Sequence, residues 1–249
     1  ALTSVVPANG SSIAAGQGLT IGGVVTNNGI NLTSYKVSYT VDGGEPVEYT
    51  VSGINVENMS THSFTHPTAI NGLSVGSHTI AVTVSNPNGV ADNNSDNSQT
   101  FTINVVDCSL PISTFPYVED FENGINPCWT LVDADGDGYG WVTASNVGGV
   151  YFPNGQNIVG SGHNSSNMFV SGSFTNATNS VLNPDNWAIS PAIDLTNATT
   201  AQLSFFAAAQ DREYPAEHYG VYVSTTTTDP SAFTLIWDET MDQNGGSHS

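Results

Sequence analysis

Apolar and polar side chains alternate along several short segments of the first hundred residues, which is the pattern of half-buried β-strands. The clearest segments are 19–26, 35–41, 78–84 and 100–106. Turn-forming residues separate them, for example Asn27-Asn28-Gly29 and Asp42-Gly43-Gly44. Short strands with turns at roughly regular spacing predict an antiparallel sandwich of immunoglobulin-like type over residues 1–107.

The alternation stops at residues 108–116, which contain two prolines and are predicted to form a linker. Strand-like segments then resume in residues 117–249, and sustained helical spacing of apolar residues is missing from the whole sequence. The candidates are 117–121, 129–132, 167–170, 187–189, 201–208, 219–223 and 233–237. The sequence therefore predicts an all-β protein of two domains.

The charge balance is strongly acidic. The chain has 22 Asp and Glu residues against two basic ones, Lys36 and Arg212, and a formal net charge of -20. Binding of nucleic acid or of anionic lipid depends on clusters of Lys and Arg, so neither partner is expected. No segment reaches the ~18 consecutive apolar residues of a membrane helix, and the first residues lack the features of a signal peptide. We expect a secreted or surface-exposed chain with a processed or trimmed start.

Two cysteines, Cys108 and Cys128, flank the proline-containing segment. In an oxidising compartment we expect them to pair, and closure of such a loop contributes roughly 3 kcal/mol by chain-entropy reasoning. Two unrelated buried thiols are the alternative.

The strongest chemical signal is the loop Asp133-Ala134-Asp135-Gly136-Asp137-Gly138. Alternate carboxylates on a tight loop converge on one point, and glycine permits the sharp bend that calcium-binding loops need. An EF-hand would place a bidentate Glu at the twelfth loop position, but that position is Ala144, and no flanking helix is predicted. The remaining ligands must therefore come from elsewhere in the fold. A solvated Asp/Gly turn is the alternative.

A second acidic segment, residues 210–219, lies between two predicted strands and so at a sheet end. Asp211 and Glu217 are candidate metal ligands, although Arg212 could instead form ordinary surface ion pairs with the neighbouring glutamates. A third segment, 119–122, adds carboxylates where a calcium ion could fix a strand end.

Catalysis is a weaker hypothesis. Paired carboxylates beside tryptophans could serve glycoside hydrolysis, but tryptophans at strand spacing more often belong to a core. The segment 160–166 places serines beside His163 without the strand-turn-helix context of a nucleophile elbow. His62 and His66 do not have zinc-site spacing on a strand. We therefore expect a protein that is not an enzyme.

The second module resembles a known family through an ordered set of motifs. These are 117–122, Cys128 to Gly138 with Trp141, 162–165, Asn183-Pro-Asp-Asn-Trp187, Ser190-Pro191, 203–205, and 209–211 with 217–219. Together they resemble the cleaved adhesin domain of gingipain-type haemagglutinin/adhesin proteins. The first module weakly resembles the bacterial immunoglobulin-like repeats that often precede such domains.

The resemblance implies a calcium-binding jelly roll that acts in adhesion rather than catalysis. It supports the Asp133, Asp135 and Asp137 loop and strengthens Asp211 and Glu217 as metal ligands. A jelly roll needs about eight strands, whereas seven are predicted here. Either the printed residues are a fragment that lacks the last strands, or the open edge pairs with another chain or segment.

These observations predict an extracellular binding protein that recognises host protein or glycan, with calcium as a structural ion. A non-catalytic accessory region of a secreted hydrolase and a pair of structural stalk repeats are the alternatives. The ligand-binding residues cannot be named from the sequence.

Overall fold

The computed structural model describes residues 1–92, 94–145, 150–151, 157–158, 162–164, 167–175, 178–211, 213–242 and 246–248. The chain divides into two compact units, unit 1 (Ala1–Cys108) and unit 2 (Ser109–Ser249). Cys108 and Cys128 are both disulfide-bonded. The separate linker at 108–116 stays a prediction. In the described part of the chain, no helix has the length and apolar character needed to cross a membrane.

The described residues of unit 1 form eight strands in two sheets. The strands are β1 (Leu2–Val6), β2 (Ser11–Ala14), β3 (Gly22–Thr26), β4 (Leu32–Val41), β5 (Val47–Val56), β6 (Thr61–Thr65), β7 (Gly76–Ser85) and β8 (Ser98–Val106). One sheet has the order β1-β3-β6 and the other β2-β8-β7-β4-β5. All neighbours are antiparallel except β2 and β8, which run parallel. Two short 3₁₀ turns, Pro87–Gly89 and Ser95–Asn97, lie between β7 and β8.

The core of unit 1 lies between its two sheets, and the alternation in the sequence explains why. In β4, Tyr35, Val37 and Tyr39 are buried while the intervening Lys36 and Ser38 are partly exposed. The same period of two recurs in β7 and β8, so each strand gives one face to the core. Side chains with no exposed surface at the centre are Ile21, Val37, Ile80, Val82 and Ile103. The all-β fold class predicted from the sequence is confirmed.

In the described residues of unit 2, twelve strands pair in two-stranded antiparallel ribbons. The strands are β9 (Thr130–Asp133), β10 (Val142–Ser145), β11 (Val150–Tyr151), β12 (Asn157–Ile158), β13 (Asn167–Val170), β14 (Phe174–Thr175), β15 (Ser180–Val181), β16 (Asn186–Ile189), β17 (Phe205–Ala207), β18 (His218–Val223), β19 (Thr234–Thr240) and β20 (Gly246–His248). The pairs are β9-β16, β10-β13, β11-β12, β14-β15, β17-β20 and β18-β19. One 3₁₀ turn, Pro230–Ala232, precedes β19. The jelly-roll arrangement of these strands stays a prediction.

Aromatic side chains supply much of the apolar packing in unit 2. Phe169 of β13 stacks on Trp141 with ring centroids 4.6 Å apart and on Phe121 with centroids 4.8 Å apart. Trp129 meets Phe169 edge to face at 6.1 Å. Such offset and edge-on pairs are the arrangements that ring quadrupoles favour. Trp129 and Trp141 are therefore packing residues.

The predicted strand at 117–121 is wrong. The side chain of Asp120 accepts a hydrogen bond from the Glu122 amide at 3.1 Å, and Glu119 accepts one from the Phe121 amide at 3.4 Å. Such local bonds offer the backbone an alternative to a strand ladder. Phe121 adopts a positive φ of 59°, which is incompatible with an extended strand. The segment is instead attached to β13, because the Asn167 side chain donates to the Phe121 carbonyl at 2.9 Å.

We expect Ile80→Ala to lower the free energy of unfolding of unit 1 by about 2–5 kcal/mol, because it leaves a cavity in a site with no exposed surface. Val75→Ala is the control, since Val75 is 58% exposed and should change stability by less than about 0.5 kcal/mol. Chemical denaturation followed by far-UV circular dichroism measures the free energy of unfolding of both variants. Equal effects of the two substitutions would contradict the assigned core.

A histidine-carboxylate pair in unit 1 predicts a pH-dependent contribution to stability. His78 Nδ1 lies 2.7 Å from Asp42 Oδ2, and His78 Nε2 lies 2.8 Å from the Ser74 carbonyl oxygen. Because both partners are acceptors, both ring nitrogens donate and the imidazolium is favoured. The hydrogen bond to Asp42 first, and then that to Ser74, raises the pKa of His78. The hydrogen bond from His78, followed by that from the Thr79 amide, lowers the pKa of Asp42.

The sign of each effect follows from linkage. The raised pKa of His78 contributes stability that is complete below its unfolded value of about 6.5 and is lost as pH rises through the folded value. The lowered pKa of Asp42 contributes stability present above about 3.9 and lost as pH falls through its folded value. The difference in unfolding free energy between wild type and His78→Gln should therefore be largest near pH 5.5 and shrink toward about pH 9. Urea denaturation across this range measures it, and a difference independent of pH would rule out the imidazolium.

Candidate metal centre

The acidic loop lies between two ribbons of unit 2. Asp133 is the last residue of β9, which pairs with β16, and Val142 is the first residue of β10, which pairs with β13. The intervening residues 134–141 therefore join one ribbon to the other. Any group that fixes this loop also fixes the connection between the two ribbons.

The three aspartates of the loop converge. Asp133, Asp135 and Asp137 each offer a carboxylate oxygen, and these oxygens all lie within 4.8 Å of one another. Among the described residues this is the single group of three or more His, Cys, Asp or Glu side chains with that geometry. The three carboxylates therefore converge as predicted, and the loop could hold a metal ion.

Backbone amides of the loop itself hold the carboxylates in place. Asp133 Oδ1 accepts a hydrogen bond from the Gly136 amide and Oδ2 accepts one from the Gly138 amide, both at 2.8 Å. Asp137 Oδ1 accepts one from the Tyr139 amide, also at 2.8 Å. Gly136 and Gly138 have φ angles of 72° and 82°, the left-handed region that glycine adopts without strain. The two glycines thus allow the chain to wrap around Asp133.

The carboxylates differ in their electrostatic surroundings. The hydrogen bond from the Gly138 amide is the largest cause that holds the pKa of Asp133 below its ordinary value. Partial desolvation, followed by the hydrogen bond to Asp133 and the charge of Asp137, raises the pKa of Asp135. Negative charge at Asp135 is therefore disfavoured by its neighbours. A cation between the three groups would reverse that effect.

A buried amide oxygen lies beside the loop. Asn186 is the cross-strand partner of Asp133, so their side chains share one face of the β9-β16 ribbon. A Cβ placed on Gly140 would lie 3.4 Å from Asp133 Cβ and 3.8 Å from Asn186 Oδ1. The Asn186 amide group donates to Ser171 Oγ at 2.9 Å, but within the described part of the chain no donor reaches its buried Oδ1. A neutral oxygen without a partner is thus available next to Asp133.

The loop is also bonded to both ribbons. The Trp141 indole donates to the Asn186 carbonyl oxygen at 3.0 Å, and the Ala134 amide donates to the Asp185 carbonyl oxygen at 2.9 Å. On the other side, the Gly172 amide donates to the Tyr139 carbonyl oxygen at 3.0 Å. The loop is therefore a junction of β9, β16 and the segment after β13.

Asp211 and Glu217, the other predicted ligands, are not in this cluster. Asp211 is exposed, and its Oδ1 accepts from the Glu213 amide at 2.8 Å in a local turn. Glu217 is partly buried, and its Oε1 accepts from Ser173 Oγ at 2.6 Å. Their role as ligands stays a prediction. Arg212, the proposed ion-pair partner, lies outside the described residues.

The remaining candidates have structural roles where they are described. His62 Nδ1 lies 2.8 Å from the Tyr35 hydroxyl, and His66 is 1% exposed with Nδ1 accepting from the Thr68 amide at 3.1 Å. Glu122 accepts from the Asn167 amide at 2.9 Å. In the Ser/His segment, Ser161, Ser165 and Ser166 lie outside the described residues.

Asn186 is the site residue that sequence reasoning missed. It lies in the Asn183-Pro-Asp-Asn-Trp187 motif, but nothing in that motif says that it faces Asp133. The antiparallel register of β9 and β16 brings the two together across more than fifty residues of chain. Only a prediction of that pairing would have identified it.

Two known families match separate parts of the chain, and the boundary between the matches lies near the boundary between unit 1 and unit 2. Residues 114–248 match the model of the family described as Cleaved Adhesin Domain. Residues 2–102 match the model of the family named CARDB. A crystal structure of a CARDB domain from Pyrococcus furiosus, described as a complex with di-metal ions, is 22% identical with a TM-score of 0.33 and covers 41% of this chain and 89% of that one.

Among the similar proteins are two from Porphyromonas gingivalis, each matching about half of this chain. Gingipain R1 is 42% identical over 128 residues, which are 51% of this chain and 7% of that protein. Hemagglutinin A is 43% identical over 115 residues, which are 46% of this chain and 5% of that protein. The chain thus spans a small fraction of these relatives. Because the first family's model covers more than half of the residues, the chain belongs to the Cleaved Adhesin Domain family.

Proposed function

We propose that this chain is a non-catalytic, extracellular adhesion region that recognises host protein or glycan, and that calcium at the acidic loop braces unit 2. The observation that carries the adhesion proposal is the family match, with 43% identity to a protein named hemagglutinin. The acidic composition supports it by disfavouring nucleic acid and anionic lipid as partners. The binding residues are not assigned.

Calcium fits the oxygens of the loop better than a transition metal does. Carboxylate and amide oxygens are the ligands of hard cations, and calcium accepts six to eight of them in flexible geometry at roughly 2.3–2.6 Å. Asp133, Asp135 and Asp137 would supply charge, and Asn186 Oδ1 would supply a neutral oxygen from the neighbouring strand. Backbone carbonyls and water would complete the shell. Magnesium, which demands strict octahedral geometry and keeps several of its own waters, suits a site built from this many protein oxygens less well.

Calcium at this position would act as a brace. The loop joins two ribbons, and its carboxylates already accept the amides that give it its shape. An ion would add bonds across the loop and remove the repulsion among the three charges. Its effect is therefore to hold neighbouring surfaces of unit 2 in one arrangement, which is what a recognition surface requires.

A non-catalytic accessory region of a secreted hydrolase is the second candidate. The observation that favours it is that similar proteins include gingipain R1 and one named Protease PrtH, the latter 36% identical over 128 residues. Both proposals assign unit 2 to binding, and they differ in whether a catalytic domain uses the bound molecule.

Calcium should raise the thermal midpoint of unit 2. At a free concentration of about 100 times the dissociation constant, a ligand that binds only the folded state adds about 2.7 kcal/mol of stability. Differential scanning calorimetry with calcium and with a chelator measures the shift. Unchanged midpoints over a calcium titration would refute the brace.

Asp135→Asn should have opposite effects with and without calcium. Without the ion, removing one of three adjacent charges relieves repulsion and raises the midpoint of unit 2. With the ion, the loss of a charged ligand removes most of the calcium-dependent stabilisation. Asp194→Asn is the matched control, because Asp194 is exposed, lies outside the three-carboxylate cluster and accepts from the nearby Thr196 amide at 2.9 Å. If the loop is only a solvated turn, Asp135→Asn will change the thermal midpoint of unit 2 by the same amount with and without calcium.

Adhesion should be visible on a glycan array and on a panel of purified host surface proteins, probed with and without calcium. The expected result is a ligand whose binding weakens at least about tenfold when calcium is chelated, because the brace is lost. If binding occurs only to the substrate of a secreted hydrolase, the accessory-region proposal is supported instead. No binding in any condition would favour stalk repeats.

A further inference from the structure

Three loops meet at one end of unit 1. They are residues 27–31 between β3 and β4, 57–60 between β5 and β6, and 86–97 between β7 and β8, of which Asn93 is not described. Backbone bonds join the first two directly, because the Met59 amide donates to the Asn27 carbonyl oxygen at 2.7 Å and the Asn27 amide donates to the Ser60 carbonyl oxygen at 2.9 Å.

Asparagine side chains hold these loops together. Asn27 is 8% exposed, and its amide group donates to the carbonyl oxygens of Ile30 and Val56, both at 2.8 Å. Asn58 donates to the Gly29 carbonyl oxygen at 2.8 Å. In the third loop, Asn88 donates to the Asn31 carbonyl oxygen at 2.9 Å. It also accepts from the Thr33 amide at 2.7 Å. Amide groups that bond in both directions make this end of unit 1 a fixed surface rather than a set of independent loops.

Each loop presents one large apolar side chain to solvent. Ile30 is 82% exposed, Met59 is 72% exposed and Val90 is 66% exposed. These are the three most exposed large apolar side chains in the described part of unit 1, ahead of Val6 at 59% and Val75 at 58%. We refer to Ile30, Met59 and Val90 as the apolar tips.

The loop 57–60 presents Met59 in a tight turn. The Ser60 amide donates to the Glu57 carbonyl oxygen at 3.1 Å, so Met59 is the third residue of a β-turn, a position at which type II turns take the positive φ seen here (61°). Flexible, polarisable methionine is common on surfaces that bind other proteins.

The charged side chains near the apolar tips indicate which kind of partner would be complementary to them. Glu57 lies beside Met59, and Asp92 and Asp96 lie in the same loop as Val90. The one lysine of the chain, Lys36, is bound to Glu48 at 2.8 Å. The three loops that carry the apolar tips thus contain carboxylates and no Lys or Arg. A complementary surface is apolar with Lys or Arg around it.

We propose that the apolar tips form a docking surface for a partner protein that presents an apolar patch flanked by Lys or Arg side chains. A second copy of this chain does not fit, because its formal net charge of -20 opposes self-association and it has only two basic residues. Anionic lipid is disfavoured by the same charge. The proposal is independent of the calcium site, which lies in unit 2.

The test uses the full chain and an immobilised synthetic amphipathic peptide made of Leu and Lys. The variant with Ile30→Ser, Met59→Ser and Val90→Ser should bind the peptide about tenfold more weakly than wild type, as expected when central apolar contacts are removed. Val6→Ser with Val75→Ser is the matched control. It removes two exposed aliphatic side chains next to the opposite ends of the strands and leaves the net charge unchanged. Its affinity should stay within about twofold of wild type.

A second comparison tests the charges. Glu57→Gln should weaken binding, and Glu45→Gln, in the turn at the opposite end, should weaken it less although it removes the same charge. Thermal midpoints near that of wild type show that the variants fold. Affinities near that of wild type in both apolar variants would overturn the proposal by showing that only the overall charge attracts the peptide. An equal loss in both would overturn it by showing that binding does not depend on the apolar tips in particular. Stronger binding to phosphatidylcholine vesicles than to the peptide, lost in the tip variant, would overturn it in favour of a lipid surface.

Discussion

The mutual repulsion of Asp133, Asp135 and Asp137 is the constraint on which the account of unit 2 depends. Three carboxylates within 4.8 Å of one another are held there by the loop's own amides, in a chain with almost no basic residues to compensate them. Partial desolvation first, and then the hydrogen bond to Asp133 and the charge of Asp137, raises the pKa of Asp135. A cation at this point would offset that repulsion, and the buried Oδ1 of Asn186, for which no donor lies among the described residues, is on the same face of the ribbon as Asp133.

Different interactions hold the two units together. Unit 1 has a continuous core between two sheets, and its loop ends are joined by neutral asparagine amides. Unit 2 has shorter ribbons, and aromatic stacking around Phe169 and the junction at the acidic loop connect them. A metal ion is therefore expected to matter much more for unit 2 than for unit 1.

How far the sequence could predict this fold depends on how local each signal is. The alternating strands β4, β7 and β8 were predictable because each has one buried and one exposed face. Strand β5 was missed because most of its residues are exposed and its period is weak. The strand predicted at 117–121 was wrong because side-chain carboxylates there compete for backbone amides. Those bonds depend on local conformation that alternation does not encode.

The same distinction holds for the candidate site. The convergence of three aspartates within five residues is a local property and was predictable, whereas Asn186 joins them through strand register, which a single sequence does not specify. Asp211 and Glu217 were proposed from their place at a sheet end and by family resemblance, and neither signal fixes the distance to the loop.

Crystals of the chain grown with and without calcium would test the central claim most directly, through anomalous scattering at the acidic loop. The account predicts a peak between Asp133, Asp135 and Asp137 in the calcium crystals, with six to eight oxygens at roughly 2.3–2.6 Å and Asn186 Oδ1 among them or bonded to a bound water. A loop that keeps its shape with only water between the three carboxylates at saturating calcium would contradict it.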